Sequence, residues 1–503
     1  MNLNISYNWL KNYVKCPEAP RDFAKKLSLS GPSIDHTTEK KPNFEKVVVG
    51  QIIKIENHPN ADKLHICQVN VGDETLQIVC GASNIAEGQK VPVVLIGGRV
   101  GDFEIKQAKL RGIDSFGMMC SMRELGLSED HAGIFILPDY SKIGLPLEKL
   151  MPIEDVIFDV EVTSNRPDAM SVVGIAREAA TIMGCKFTYE ESRPNLKIFE
   201  EKKLAVNLKE PKACLRYQAI VMTDVKVGIS PLYIQQRLIS AGLRPINNLV
   251  DITNYILLEL GQPMHVFDYD KLAKNEIIIR LAKEGEKILA LDGKAYNLKS
   301  TNLVIADGEK PVAVAGVMGG ELSAATAETK TIVLESANFN ALQVRRTARG
   351  LDLHSDSSNL YEKVLSSEAT NPALMRAIEL VQEIAGGKVA SKIYDERAEK
   401  FQPKIIKFDL NSVAKLLGAK IPAKQVKEIL TSLGFNVVKS DSKNNDELLV
   451  TVPWWRDRDI EGEHDLIEEV ARIYGYNNLP YNLPAGQMPV DWSIKNTLRL
   501  RIV

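Results

Sequence analysis

"KVVVGQIIKIENHPNADKLHICQVNVGDETLQIVC", residues 46–80, carries three strand-length apolar runs punctuated by His-Pro-Asn and Gly-Asp turn signals. Two further runs, "KVPVVLIGG" (90–98) and "GIFILP" (133–138), make five between residues 46 and 138. Short strands at this spacing bury their apolar faces by closing on themselves, so a small closed or half-closed β-barrel is expected over 39–152. Outside it the pattern turns helical. Residues 1–38 read as a cap that packs with 155–195, with one helix around "SYNWLKNYV" (6–14) and another at "RDFAKKLSLSG" (21–31). "SVVGIAREAATIMGC" (171–185) places apolar side chains at 172, 175, 176, 179, 182 and 183, one face of a helix inside a connector spanning 153–200.

A mixed α/β region follows over 201–398, and "DERAEKFQPK" (395–404) reads as a linker. Over 402–478 the pattern predicts strand, helix, helix, strand and helix, a small winged-like α+β domain, with "DSKNNDE" (441–447) as a turn. A new helical pattern, "VDWSIKNTLRLRIV" (490–503), breaks off at the last residue, so 479–503 reads as the start of a module cut short. The expected fold class is multidomain α+β.

The 503 residues are 45% hydrophobic and 25% charged, with a formal net charge of −2. That balance confines any nucleic-acid site to a local patch. There is no run of eighteen apolar residues to span a membrane, and the start lacks the uninterrupted apolar core of a signal peptide. The six cysteines never reach Cys-x-x-Cys spacing and read as reduced cytosolic thiols, mostly core fillers.

Three regions offer chemistry. From Gly88 to Arg123, Lys90, Arg99, Lys106, Lys109, Arg111 and Arg123 stand against Asp102, Glu104 and Asp114. A basic barrel face can track a phosphate backbone, although ordinary scatter of solvated charge gives the same counts. His265 and Glu335 are lone ionisable groups beside apolar runs, "LLELGQPMHVFD" (257–268) and "TIVLESANF" (331–339), and by themselves read as satisfied core residues. The glycine-rich "GVMGGE" (316–321) lacks the Lys-Ser/Thr of a phosphate loop. In "WWRDRDIEGEHDLIEEVARIYGYNNLP" (454–480), seven carboxylates fall within thirteen positions. Asp465, Glu468 and Glu469 share one helical face, and Asp459 lies six residues upstream on the approach. Such a face needs an answering charge: the helix N-terminus, an arginine-bearing partner or a hard cation. An all-oxygen set points to Mg²⁺ among the cations.

Longer motifs add a resemblance. "HPNADKLHICQVNVG", "IVCGASNI", "VPVVLIGG" and "KLRGIDSFGMMCS" together resemble the tRNA-binding barrel appended to several aminoacyl-tRNA synthetases. "VTSNRPDAMSVVGIAREAA", "AGLRPINNLVDITNYILLELGQPMHVFDYDKL", "AVAGVMGGELSAATAETKTIVLESANFN" and "DLIEEVARIYGYNNLP", in that order, resemble the β subunit of bacterial phenylalanyl-tRNA synthetase. The resemblance implies an OB-type barrel that binds tRNA, an α/β editing (B3/B4) domain and a B5 domain. It implies a cytoplasmic ligase subunit that binds tRNA(Phe) and hydrolyses tyrosine mischarged onto it. That subunit also supports a catalytic α subunit in an (αβ)₂ heterotetramer.

On the same basis the editing pocket comprises Glu335 reading the phenolic hydroxyl, the pocket histidine His265, Arg244 and Asn248 at the aminoacyl-adenosine end, Gly316 and Gly319 for close backbone approach, and Ser355 and Ser357. The tRNA contacts would be His58, Lys63, Arg99, Lys106, Lys109 and Arg111. Asp459, Asp465, Glu468 and Glu469 match the family's Mg²⁺ spacing at the contact with α, and Asp457 is an alternative leading ligand. The segment 351–372 departs from the family pattern: Leu360 stands for an arginine, Ser355 for a threonine and Ser357 for an alanine, and the following loop is lengthened. Two other functions fit parts of the pattern. One is a free-standing deacylase acting in trans, which has no use for the acidic α-contact motif. The other is a non-catalytic tRNA-binding scaffold with a decayed pocket, for which 351–372 speaks.

Overall fold

Trp9 stacks on Tyr255 with ring centroids 4.9 Å apart, a contact between the N-terminal cap and the middle of the chain. The computed structural model describes residues 2–128, 132–151, 153–440 and 446–480. The expected helix at 490–503 and the 441–445 part of the turn lie outside them. No helix among the described residues is long and apolar enough to cross a membrane.

The cap differs from its expectation. Asn2–Ser6 is a strand, paired antiparallel with Asp155–Glu161, which pairs in turn with Ser33–Lys40. The helix around 6–14 shrinks to one turn, Tyr7–Leu10, capped by the Ser6 hydroxyl, which accepts from the Trp9 amide at 3.0 Å. Sheet pairing to 155–161 claims the residues before it, and Asn12 favours turn over helix after it. The second cap helix, Pro20–Ser30, packs Phe23 face to face on Phe158. Cap, connector helix Val172–Met183 and middle domain share one continuous core. The connector helix starts at Ser171, whose hydroxyl accepts from the Gly174 amide, and stops at Gly184 in the left-handed region.

In the barrel, Phe44–Asn57 pairs with Lys90–Val100 on one side and His65–Asn70 on the other, followed by Thr75–Cys80. Gly50 sits where these strands cross: a Cβ there would stand 2.6 Å from Val93 and 2.8 Å from Val69. "GIFILP" is not a fifth strand. The free side of Lys90–Val100 is already paired with Met118–Met119, leaving 133–138 a single bridge, Lys90 to Leu137. Phe135 and Leu137 fill the barrel core instead. The Phe116 amide donates to the Gln77 carbonyl at 2.9 Å, joining the two ends of the curled sheet.

The middle domain has two sheets. Ala205–Leu208, Glu276–Leu281, Leu303–Ala306, Pro311–Val314 and Met318–Gly319 form one. Met264–Asp268, Ile332–Phe339, Cys214–Thr223 and Lys388–Val389 form the other, covered by helices Asn248–Leu260 and Thr370–Ile384. Tyr394–Arg397 also pairs with Cys214–Thr223, so the start of the expected linker is strand. Arg216, 2% exposed, anchors it by two hydrogen bonds of 2.9 Å to Asp395.

The last domain wraps helices Leu410–Leu417, Ala423–Ser432 and Glu463–Tyr474 around the sheet Ile405–Asp409, Glu447–Thr451 and Asn436–Lys439. Its third strand, Asn436–Lys439, is additional to the two strands expected here. Gly434, at φ +91°, separates it from helix Ala423–Ser432: a Cβ there would lie 2.7 Å from the Trp455 ring.

Candidate functional site

His265 and Glu335 are direct register partners on the neighbouring antiparallel strands Met264–Asp268 and Ile332–Phe339. Residues so paired project from one face of a sheet, which sets imidazole and carboxylate side by side. Both line a small cavity of about 50 Å³ with Gly316, Met318, Ser357 and Tyr361. Glu335 is 5% exposed, and the Tyr217 hydroxyl donates to its Oε2 at 2.6 Å. Burial pushes this carboxyl up to about 7, although the Tyr217 bond works the other way. Burial also pushes the His265 imidazole down to about 4, so it is neutral near pH 7, and its Nε2 is buried without a hydrogen-bond partner. The ring stands edge-on against Phe267, centroids 4.5 Å apart.

The glycines are set by space. At Gly319 a Cβ would meet His265 Cε1 at 2.4 Å, and at Gly316 (φ +70°) it would meet Val344, Phe339 and Tyr361 at 2.9–3.1 Å. Gly319→Ala is therefore expected to push the imidazole out of register with Glu335 and to cost about 1–3 kcal/mol of stability. Urea unfolding together with a deacylation assay checks both effects; unchanged values in both would refute the close approach.

Ser355 caps helix Asp356–Tyr361, accepting from the Ser358 amide at 3.1 Å, and its hydroxyl donates to the Val317 carbonyl at 2.6 Å. It positions the glycine loop and does not line the cavity. Ser357 does line it, while Leu360 is buried in the core, so the cavity holds no cation at that position. Arg244 and Asn248 are not brought to this cavity. Arg244 is exposed on the loop ahead of helix Asn248–Leu260. Asn248 accepts from the Gly228 amide at 3.1 Å and donates to the Lys226 carbonyl at 2.8 Å, so its amide pins that loop. Tyr217 was missed: it lies 118 residues from Glu335, and only the sheet register joins them.

On the barrel, Lys63, Arg99, Lys106, Lys109 and Arg111 are exposed. His58 is not available as an RNA contact: it is 5% exposed, and both ring nitrogens are used. Nδ1 accepts from the Asn60 amide at 3.0 Å, which leaves Nε2–H to donate to the Leu110 carbonyl at 3.2 Å. Its role is to tie the 58–63 hinge to the hairpin 108–115, gathering Lys63, Lys109 and Arg111 at one corner. Lys90 donates to the carbonyls of Ser141, at 2.7 Å, and Asp139, so it braces a loop.

The four acidic residues border one cleft but do not make an ion cage. Arg456 holds Glu469 by two bonds of 2.9 Å and Asp459 at 2.9–3.0 Å. Arg472 joins Glu469 to Glu178 of the connector (2.9 and 2.7 Å) and donates to the Ser30 carbonyl of the cap. Arg166 grips Asp168 and Glu178. Asp465 caps its own helix, accepting from the Gly462 and Glu461 amides, and Glu468 is exposed. Asp457 turns away to Ser366 at 3.0 Å. Among the described residues these carboxylates do not converge on a common point. In this structure the chain's own arginines supply answering charge to Asp459 and Glu469. Arg456 three residues before Asp459, and Arg472 three after Glu469, were legible signs of this.

Three family models match in order: a tRNA binding domain over 47–146, a B3/4 domain over 213–386 and a tRNA synthetase B5 domain over 406–476. The phenylalanine–tRNA ligase beta subunit of Carboxydothermus hydrogenoformans is 42% identical over 509 residues, covering 99% of this chain. That of Desulfotalea psychrophila is 43% identical over 488 residues, covering 96%. This chain belongs to the phenylalanine–tRNA ligase beta-subunit family. It spans 63% and 59% of the length of those two relatives. A solved N-terminal fragment of the Pyrococcus horikoshii phenylalanyl-tRNA synthetase beta-subunit overlaps 64% of this chain and 87% of its own at 19% identity, with a TM-score of 0.37, too distant to transfer any residue. The His265–Glu335 pair falls inside the B3/4 match and the basic corner inside the tRNA-binding match.

Proposed function

We propose that this beta-subunit chain binds tRNA(Phe) through its barrel and hydrolyses tyrosine mischarged onto that tRNA in its middle domain, supporting a catalytic α subunit in a cytoplasmic (αβ)₂ assembly. The supporting observation is the buried Glu335 carboxylate beside His265. A pocket that selects phenylalanine cannot strongly reject an analogue that only adds a hydroxyl, so a second pocket must sort by that hydroxyl. A buried acceptor does so, because phenylalanine leaves it without the extra bond. In this site Glu335 orients the phenol, the unpartnered Nε2 of neutral His265 holds the attacking water or the ester, and the glycine loop brings backbone close to the acyl group. Water adds to the ester carbonyl, the bond to the ribose oxygen breaks, and the tRNA hydroxyl takes up a proton. Mg²⁺ enters as the ion that tRNA ligation in this family uses; no editing step depends on it.

The test is deacylation of tyrosyl- and phenylalanyl-tRNA(Phe). Tyrosine release should be faster, and its preference over phenylalanine should grow as pH rises through about 7, where Glu335 ionises and the hydroxyl bond becomes charge-assisted. Tyr217→Phe removes the bond that lowers this pKa and should move the transition to higher pH. A flat pH profile for the ratio would count against Glu335 as the reader.

One observation favours a non-catalytic scaffold: Tyr217 already satisfies Glu335, and about 50 Å³ admits water rather than a phenol ring unless lining side chains move. Tight tRNA binding without deacylation would select that reading. Equal editing rates with and without α would select a free-standing deacylase.

A further inference from the structure

Away from every site above, the cap and connector bring together Cys16, Glu18 and Cys185. The two sulfurs are 3.0 Å apart, and Cys16 Sγ donates to Glu18 Oε2 at 2.5 Å. All three donor atoms lie within 4.8 Å of one another, the one such convergence among the described residues. The backbone is fixed on both sides. Val14 bridges Phe187, the Thr188 amide donates to the Tyr13 carbonyl at 2.9 Å, and the Cys185 amide closes the helix end on Ala180 at 2.8 Å. Lys26 holds the other oxygen of Glu18 at 2.7 Å, and Tyr7 donates to the Glu18 carbonyl, so the carboxylate is oriented with Oε2 toward the sulfurs. Both thiols are half-buried at the edge of the main core, whereas Cys67, Cys120 and Cys214 are fully enclosed, so this pair remains within reach of solvent.

We infer that Cys16, Cys185 and Glu18 form a site for a thiophilic divalent cation of the zinc class, bridging the cap to the connector, with water in the fourth position. Two thiolates and a carboxylate match that ion's donor preference, and Lys26 stands as the outer partner that fixes the carboxylate. Zn–S bonds of about 2.3 Å put tetrahedral sulfurs roughly 3.8 Å apart, which side-chain rotation provides. Binding is balanced by release of two thiol protons to solvent per ion, with no change of oxidation state. A disulfide is the competing fate. A cation engages both sulfurs and Glu18 Oε2 at once, whereas a disulfide would leave that oxygen without its Cys16 donor.

The experiment titrates the reduced, chelator-treated full chain with Co²⁺ and then displaces it with Zn²⁺. Expected are one equivalent bound, a thiolate-to-cobalt charge-transfer band, and two protons released. Cys16→Ser and Cys185→Ser should each weaken binding by at least about 100-fold and Glu18→Gln by about 10-fold, with Cys120→Ala unchanged. Circular dichroism of the metal-free variants must match metal-free wild type, so that lost binding is not lost folding. Absence of the band at one equivalent, binding that survives either serine variant, or a Cys16–Cys185 disulfide in protein isolated without reductant would each overturn the site.

Discussion

Glu335→Ala is expected to lower tyrosyl-tRNA(Phe) deacylation by roughly 10- to 100-fold while leaving phenylalanyl-tRNA hydrolysis nearly unchanged, so that the tyrosine preference collapses. The size follows from stranding a buried hydroxyl without its acceptor, worth about 1.5–3 kcal/mol when the acceptor is charged. Glu335→Gln keeps the shape and an oxygen acceptor, so its loss should be smaller and independent of pH. The same residue predicts a stability change with a definite sign. Its folded pKa of about 7 lies above the ordinary 4.5, so the native state binds the extra proton. Stability from this group is fully present below about 4.5 and is lost as pH rises through about 7, a decline of roughly 3 kcal/mol. Urea unfolding of wild type and Glu335→Gln should agree most closely at low pH and diverge as pH rises through about 7, with wild type losing stability and Glu335→Gln holding level. Parallel curves, or an unchanged tyrosine preference in Glu335→Ala, would remove Glu335 from the reading of the hydroxyl.

Arg456→Ala should be the most damaging single change away from the pocket. Its guanidinium is 2% exposed and holds two carboxylates that have almost no access to water. Removing it leaves Asp459 with Arg166 at 3.8 Å and Glu469 with Arg472 alone. Breaking a buried pair from one side typically costs about 3–5 kcal/mol. Arg456→Lys should not rescue it, because one ammonium cannot make two parallel bonds to Glu469 and also reach Asp459. Neutralising Asp459 in the Arg456→Ala background (Asp459→Asn) should recover part of the loss, since it removes the stranded charge. Unfolding followed by the fluorescence of Trp454 and Trp455, next to the substituted residue, is the readout. A loss under about 1 kcal/mol would mean the lattice is solvated. Stabilisation of wild type by Mg²⁺, absent in Asp459→Asn, would restore the ion-cage assignment.

Elements with a strong local period were legible from sequence. The connector helix from 172, the early barrel strands and the acidic helix all appear near their expected places, because alternation or helical spacing is visible in a single segment. Elements defined by a partner were not. Asn2–Ser6 and Tyr394–Arg397 are strands only because distant segments pair with them, and "GIFILP" fails to be one because its ladder position is taken. The site divides along the same line. His265 and Glu335 could be named through motif resemblance, but Tyr217, which engages the carboxylate, carries no motif and is reached only through register. The acidic face was visible as spacing, with Arg456 and Arg472 within helical reach of it, yet the further partners Arg166 and Glu178 come from the connector. Asn248 and His58 show the reverse: polar residues inside a recognisable motif whose side chains, in this structure, hold loops.

Because Trp9 lies flat on Tyr255 and one apolar interior runs from the first strand to the sheet that carries Glu335, the middle domain is not a detachable cassette. A version begun at residue 201 would lose the first strand, both cap helices and the connector, leaving a raw hydrophobic flank. Such an excised piece should aggregate or swap partners, whereas a cut at the exposed 399–403 stretch, beyond the last strand of that sheet, leaves this interior whole.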